Sequence, residues 1–343
     1  MKICFVISEL NERGGTERVA TLLANALVKD YSITILSRHC GHSAYPLSEK
    51  IKHVELNGKN LSFAQSVKTY LNKFPQDLVV IHTMHKLSLF CLLVGIKAPR
   101  VWTIEHISID YFSKWYQWGR KFLYPKLDRV ITLTQRERQR YLKFTSRAIT
   151  ISNPAALEIS QYEYQNQSKI ILSIGRISNQ KGYDMLVQAW QAVEKKHPDW
   201  QLHIYGEGGD LDKLNTLKQE LKIKNLNFLG TTVDVQTKYD KASFYVMSSR
   251  YEGLPMVLIE AMSRGLPIVS FNCPSGPSEI IEDQKTGLLV ENGNINALSD
   301  AICHLIESPQ KRAQMSKTAR ISAEKYKIQS VVQEYKKYIE ELS

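Results

Sequence analysis

The chain has 343 residues, 43% of them hydrophobic, with 17 Gly and 11 Pro, a size that suits two ordinary domains and a composition that excludes disordered and fibrous classes. Its net charge is +11, unevenly spread: residues 1–153 hold 23 Lys and Arg against 11 Asp and Glu (+12), and the remainder holds 22 against 23 (−1). That asymmetry points the first half toward an anionic partner, whether nucleic acid, an anionic membrane or a phosphorylated substrate.

In chain order, "KICFVIS" (2–8) reads as a strand, because no small-residue cleavage site follows to make it a signal peptide. "GGTERVATLLANALVK" (14–29) has apolar residues at helical spacing, with Gly14 and Gly15 at its start. Paired glycines permit a sharp turn and leave amides free for an anion. "YSITILS", "DLVVIHT", "RVWTIEH" and "RVITLT" follow as strands. The ten-residue run "LSLFCLLVGI" (87–96) is too short to span a bilayer and reads as a buried helix. The five cysteines are scattered with no CxxC pair, which suits free thiols in a reducing compartment. A cytoplasmic protein is therefore expected. His39, Cys40 and His42 share a polar loop with no further ligand nearby, a weak metal candidate. His82 and His85, at a strand end, are candidates to line a substrate.

Residues 111–129, "YFSKWYQWGRKFLYPKLDR", interleave Trp115, Tyr116, Trp118 and Phe122 with Lys114, Arg120, Lys121 and Lys126. Rings and cations on one helix suit a membrane interface. The alternative is a packed helix with a solvated basic face. No nucleic-acid-binding motif accompanies the charge, so nucleic acid is not expected as a partner.

Around 150–169 the alternation breaks at Asn153-Pro154 and a polar stretch, the mark of an interdomain connection. It then restarts with strands "IILSIGR", "WQLHIYGEG", "NLNFLG", "SFYVMSS", "PIVSFN" and "GLLV", separated by helical stretches. The expected fold is α/β: two doubly wound, Rossmann-like domains facing a cleft, with ligands at the carboxyl ends of the strands. The boundaries read as 1–153, 154–325 and a C-terminal helix, 326–343, after the second domain.

Three segments of the second half carry chemistry. "GRISNQKGYD" (175–184) follows a strand and sets Arg176 and Lys181 around a polar loop, a fork and a point charge suited to one diphosphate. "YGEGGDLDKL" (205–214) contains Asp210 and Asp212, better read as acids in a first helical turn than as a metal-binding DxD. "RYEGLPMVLIEAM" (250–262) sets Glu252 before a turn and Glu260 inside a helix. The amides of Gly253, Leu254, Pro255, Met256 and Val257 are expected to form an anion site at the helix start. Acids repel phosphate but accept hydrogen bonds from hydroxyls. Two of them flanking an anion turn suggest a nucleoside diphosphate sugar.

With seven residues between them, Glu252 and Glu260 match the EX7E motif, and the chain resembles the retaining glycosyltransferases of family 4, with the GT-B fold. "GRISNQKGYD" resembles that family's diphosphate loop and "ERGGTER" (12–18) its N-terminal glycine loop. Glu105-His106 resembles its active-site histidine segment, and "PSGPSEIIEDQKTGLLV" (274–290) the stretch closing its donor domain. The resemblance covers almost the whole chain in order. It implies that Arg176 and Lys181 bind the diphosphate, Glu260 the ribose, and Glu252 the hydroxyls of the donor sugar. It implies further that Gly15 lets the first domain approach the phosphates, that His106 touches the sugar near the reacting carbon, and that the C-terminal helix crosses back to the first domain. It implies no cofactor and no metal. The expected reaction moves a hexose or N-acetylhexosamine from a UDP-sugar to a polyprenyl-diphosphate-linked or other lipid-linked glycan in surface-polysaccharide synthesis of the lipopolysaccharide and O-antigen kind. The acceptor and membrane face would be Lys114, Trp115, Trp118, Arg120, Lys121 and Lys126, peripheral at the inner face of the plasma membrane. The competing functions are a nucleotide-sugar epimerase of the same fold and a non-catalytic nucleotide- or nucleic-acid-binding protein.

Overall fold

The computed structural model describes every residue except 39–40, 85, 162–163, 165–166 and 342–343. The candidate ligands His39 and Cys40, and His85, therefore lie outside the described residues. The chain forms two compact units, 1–156 with the stretch from Ile328 onward, and 157–327.

Unit 1 is built on seven parallel strands: β1 (Lys2–Val6), β2 (Ser32–Arg38), β3 (Lys52–Leu56), β4 (Leu78–Thr83), β5 (Arg100–Glu105), β6 (Arg129–Thr132) and β7 (Ala148–Thr150). Their order is β3-β2-β1-β4-β5-β6-β7. β4 is buried along its whole length, the apolar pattern of a strand covered by helices on both faces. β3 and β7 have no counterpart in the sequence reading. β3 is partly exposed and mixes Lys52, His53 and Glu55 with Val54 and Leu56, and β7 has three residues. Such edge strands bury too little to show an apolar run. The helix Gly15–Leu27 turns Val19, Leu23 and Leu27 inward. The C-terminal helix Ile328–Glu340 packs beside it, with Lys336 Nζ 2.8 Å from Asp30.

Unit 2 holds six parallel strands: β8 (Ile170–Ile174), β9 (Gln201–Tyr205), β10 (Leu226–Phe228), β11 (Phe244–Met247), β12 (Ile268–Phe271) and β13 (Gly287–Val290). All six are strands expected from the sequence. Their order is β10-β9-β8-β11-β12-β13, so the direction of winding reverses between β8 and β11. Doubly wound sheets bind ligands at such a switch point. Ile171, Trp190, Leu202, Phe244 and Val246 lie in its core, and Ile177 anchors the loop after β8 to it.

One glycine locks the two switch-point loops together. Gly182 is left-handed (φ +63°), and a Cβ there would lie 2.1 Å from the Ser248 carbonyl oxygen, at the end of β11. Gly182→Ala therefore combines a left-handed cost of about 1–2 kcal/mol with a clash against backbone. Gly209, one helix and one strand further along the chain, faces nothing within 4 Å and has ordinary φ. Thermal melts should show Gly182→Ala well below wild type and Gly209→Ala close to it.

Candidate functional site

The loops after β8 and β11 carry most of the sequence-predicted residues of unit 2, and hydrogen bonds lace them together. Arg250 N donates to Gln180 O at 2.8 Å, and Ser248 Oγ lies 3.0 Å from Lys181 O. Arg250 forks onto Asp184 at 2.8 and 2.6 Å and also reaches Asn179 O. The guanidinium holds the Asp184 carboxyl below its ordinary range. Lys181 Nζ donates to Glu252 Oε1 at 2.6 Å, and Ser249 Oγ donates to the same oxygen at 2.7 Å. Lys181 and Glu252 are thus brought together, each as the other's counter-ion. Arg176 stands exposed on the same loop, with no hydrogen bond to another described residue. Arg250, Asp184 and Ser249 were missed in the sequence reading. The only available signal was that Arg250 stands two positions before Glu252, and a fork from that loop to Asp184 at the start of the helix Tyr183–Lys196 is visible only after folding.

Glu260 sits on the helix Met256–Ser263 and is 2% exposed. The Tyr239 hydroxyl lies 3.0 Å from its Oε2 and 3.2 Å from Val257 O. Tyr239 comes from the short helix Val235–Asp240, and no sequence motif marks it. Leu254 is buried, Gly253 is half-buried, and Pro255 caps the helix as its last extended residue. Proline has no N–H, so Pro255 leaves the expected set of amide donors. Met256 and Val257 lie in the first turn, where amides lack acceptors inside the helix. Gly276 (φ +93°) brings the 274–277 stretch onto this turn, since a Cβ there would be 2.5 Å from Gly253 O. Asp210 occupies an N-cap position, but its side chain meets Lys213 Nζ at 3.4 Å and makes no capping bond.

In unit 1, Gly14 is the N-cap of the helix Gly15–Leu27 at φ −100°, an extended conformation open to any residue. The expected sharp glycine turn is not what shapes this loop. Gly14 is half-buried and Gly15 exposed. His106 follows β5, and its N–H extends the sheet ladder to Thr83 O at 3.0 Å. The ring is 8% exposed, and burial lowers its pKa to about 3. His106 Nε2 lies 3.2 Å from Nδ1 of His82, whose ring is buried against Phe5. His82 is 1% exposed, so it supports His106 and does not itself line a substrate surface.

Alternation along β5 sends Glu105 to the opposite sheet face from His106. There its carboxylate accepts from Thr103 Oγ1 (2.9 Å), Tyr124 OH (2.7 Å) and Tyr141 OH (3.0 Å), and pairs with Arg120 Nη2 at 3.4 Å. The Arg120 side chain has 0% exposure and stacks over Phe112, 3.7 Å from the ring centroid. Arg120 is therefore not part of a membrane or acceptor surface. On the helix Lys114–Leu123, Tyr116, Gly119, Arg120 and Leu123 turn inward at helical spacing, and the buried carboxylate takes the cation. Lys114, Trp115, Trp118, Lys121 and Phe122 face out, as does Lys126 just beyond. Trp115 is 80%, Trp118 56% and Phe122 60% exposed, and the rings touch in a row, 6.4 and 4.3 Å between centroids.

Among the described residues, no group of three or more His, Cys, Asp or Glu could hold a metal ion, and no helix is long and apolar enough to cross a membrane. The four described cysteines are free and buried.

Two Rossmann-like sheets, one with a basic loop and an acid loop at its switch point, have the architecture of GT-B glycosyltransferases. Residues 157–322 match the family described as glycosyl transferases group 1, and residues 13–158 match glycosyltransferase family 4. An uncharacterized glycosyltransferase of Haemophilus influenzae is 33% identical over 98% of this chain and 99% of its own length. The GalNAc-alpha-(1->4)-GalNAc-alpha-(1->3)-diNAcBac-PP-undecaprenol alpha-1,4-N-acetyl-D-galactosaminyltransferase of Campylobacter jejuni is 27% identical over 100% and 99%. The crystal structure of Anabaena HepE in complex with UDP superposes with a TM-score of 0.84 at 17% identity, covering 99% of this chain and 100% of that one. The chain belongs to the family 4 glycosyltransferases. It is accordingly a glycosyltransferase.

Removing one member of a buried ion pair leaves the other charge uncompensated, typically at about 3–5 kcal/mol. Arg120→Ala should destabilise unit 1 by that order in chemical denaturation. Lys121→Ala, one residue on and exposed, should change stability little.

Proposed function

We propose that this glycosyltransferase moves a hexose or N-acetylhexosamine from a UDP-sugar to a lipid-linked glycan in surface-polysaccharide synthesis, with retention at the anomeric carbon and without a metal. The observation that carries the reading is the Lys181–Glu252 pair at the switch point of unit 2, beside exposed Arg176 and with Glu260 one helix further in. A diphosphate competes with Glu252 for Lys181. Its arrival turns the cation to phosphate and leaves the carboxylate for sugar hydroxyls, while Glu260 takes the ribose. Arg176, Lys181 and the first-turn amides of Met256 and Val257 then meet the charge that grows on the leaving diphosphate. The bond from the anomeric carbon to the phosphate oxygen breaks as the bond to the acceptor oxygen forms on the same face. The acceptor proton passes to the leaving phosphate. His106 is the candidate contact of unit 1 with the transferred sugar. The UDP named with HepE and the polyprenyl-linked acceptor named for the Campylobacter relative support the substrate classes.

The aromatic row Trp115, Trp118 and Phe122, flanked by Lys114, Lys121 and Lys126, supports peripheral docking of unit 1 on an anionic bilayer, at the inner face of the plasma membrane. Each exposed cation near an anionic surface contributes about 1 kcal/mol, and the rings add apolar burial at headgroup depth.

Titration calorimetry with UDP tests the donor site. Arg176→Ala and Lys181→Ala should each weaken binding by about 1.5–3 kcal/mol. Glu252→Gln should bind UDP more tightly, because Lys181 has lost its competing carboxylate, while sugar transfer falls steeply. Unchanged affinity in both basic variants, or near-normal transfer by Glu252→Gln, would refute these roles.

Vesicle sedimentation tests the membrane surface. Binding should rise with anionic lipid and fall with salt. The triple replacement of Lys114, Lys121 and Lys126 by Gln should reduce it without touching UDP affinity. Equal sedimentation on neutral and anionic vesicles at low salt would exclude this surface.

A further inference from the structure

The pair of buried imidazoles carries more than a packing role. His82 lies on β4 and His106 directly after β5, on the sheet face shared with Phe5 of β1. Their rings are nearly parallel, 15° apart with centroids 5.4 Å apart, and one hydrogen bond joins His82 Nδ1 to His106 Nε2 at 3.2 Å. Burial keeps both rings neutral near pH 7, so each carries a single proton. Nε2 of His106 is thereby committed to His82, and Nδ1 is the nitrogen left for a ligand.

We infer that His82 is a positioning residue that fixes His106 as an Nδ1–H donor toward the transferred sugar. The argument turns on His82 Nε2, which is buried and has no hydrogen-bond partner among the described residues. Were the His82 proton on Nε2, it would be an orphaned N–H inside the core, the rarer of the two kinds of unpaired group. With the proton on Nδ1, it has an acceptor in His106 Nε2. The second proton must then sit on His106 Nδ1. A histidine so held offers a hydrogen bond to a sugar oxygen and removes no proton from it. This fits a reaction in which the leaving phosphate takes the acceptor proton, and it rests on the reading of His106 as the sugar contact. The backbone bond from His106 N to Thr83 O holds the ring's attachment point while His82 sets its rotation.

Nitrogen NMR of the full-length, 15N-histidine-labelled protein tests this directly, with the His106 signals assigned from His106→Gln. Wild type should show the Nδ1–H tautomer at His106. His82→Phe removes the bond and should shift His106 to a mixture of tautomers. His82→Asn offers an amide N–H near the same place and should restore Nδ1–H. With UDP-glucose or UDP-N-acetylglucosamine as donor, UDP release by His82→Phe should fall on the order of tenfold in kcat, the scale of one lost hydrogen bond. The UDP dissociation constant should not move, and His82→Asn should recover most of the rate. An Nε2–H tautomer at His106 in wild type overturns the inference. So does a tautomer unaltered in a folded His82→Phe, or a His82→Asn no better than His82→Phe. If His82→Phe does not fold, the wild-type and His82→Asn spectra decide. A protein that does not bind UDP at all would remove the donor reading and leave the tautomer result standing.

Discussion

A parallel sheet obliges every crossover to return the chain to the same starting edge, so all loops that follow strands gather at the other edge. Both units are parallel throughout, and their candidate residues follow from that constraint. Arg176 and Lys181 come after β8, Glu252 after β11, and His106 after β5. β8 and β11 are distant in sequence but adjacent in the sheet, because the winding reverses there. Lys181 and Glu252, 71 positions apart in the chain, meet for that reason alone.

The meeting has an electrostatic consequence. A lysine and a glutamate left separately at the mouth of a site would each present a full charge. Paired at 2.6 Å, they neutralise one another. The Arg250–Asp184 fork beside them has a different task, holding the two loops in register. A planar bidentate pair suits that task, since it constrains angle as well as distance. The neighbouring charges thus divide into a single-point pair, Lys181–Glu252, and a bidentate fork that ties the segments after β8 and β11 together.

In unit 1 the same economy operates across the thickness of the sheet. Successive residues Glu105 and His106 leave β5 toward opposite faces. One ties the aromatic helix to the sheet through Arg120 and two tyrosines, and the other joins His82. The Glu105 carboxylate in turn raises the pKa of Tyr124 and Tyr141 beyond what burial alone does, keeping both phenols as donors. The surface cations and rings of the Lys114–Leu123 helix are therefore mounted on a buried ionic base that ends one residue from His106.

Much of this was legible in the chain. Long apolar strands and amphipathic helices have periods that survive any environment, so the α/β class, the six strands of unit 2 and the glycine- and charge-bearing loops could be read directly. The spacing of Glu252 and Glu260 and their family resemblance marked the candidate donor loop. What could not be read was which charges are buried and with whom. Arg120 and Lys121 are neighbours of the same charge, yet one is the core of a network and the other is solvated, because a helical step of 100° separates them. β3 and β7 were invisible because edge strands bury little. His82 and His106, 24 positions apart, become one proton-sharing unit only when β4 lies beside β5. Local sequence determined the elements and the residue types at their ends. Tertiary structure decided the pairings, because desolvation and hydrogen-bond partnership depend on what the rest of the fold brings within about 3 Å.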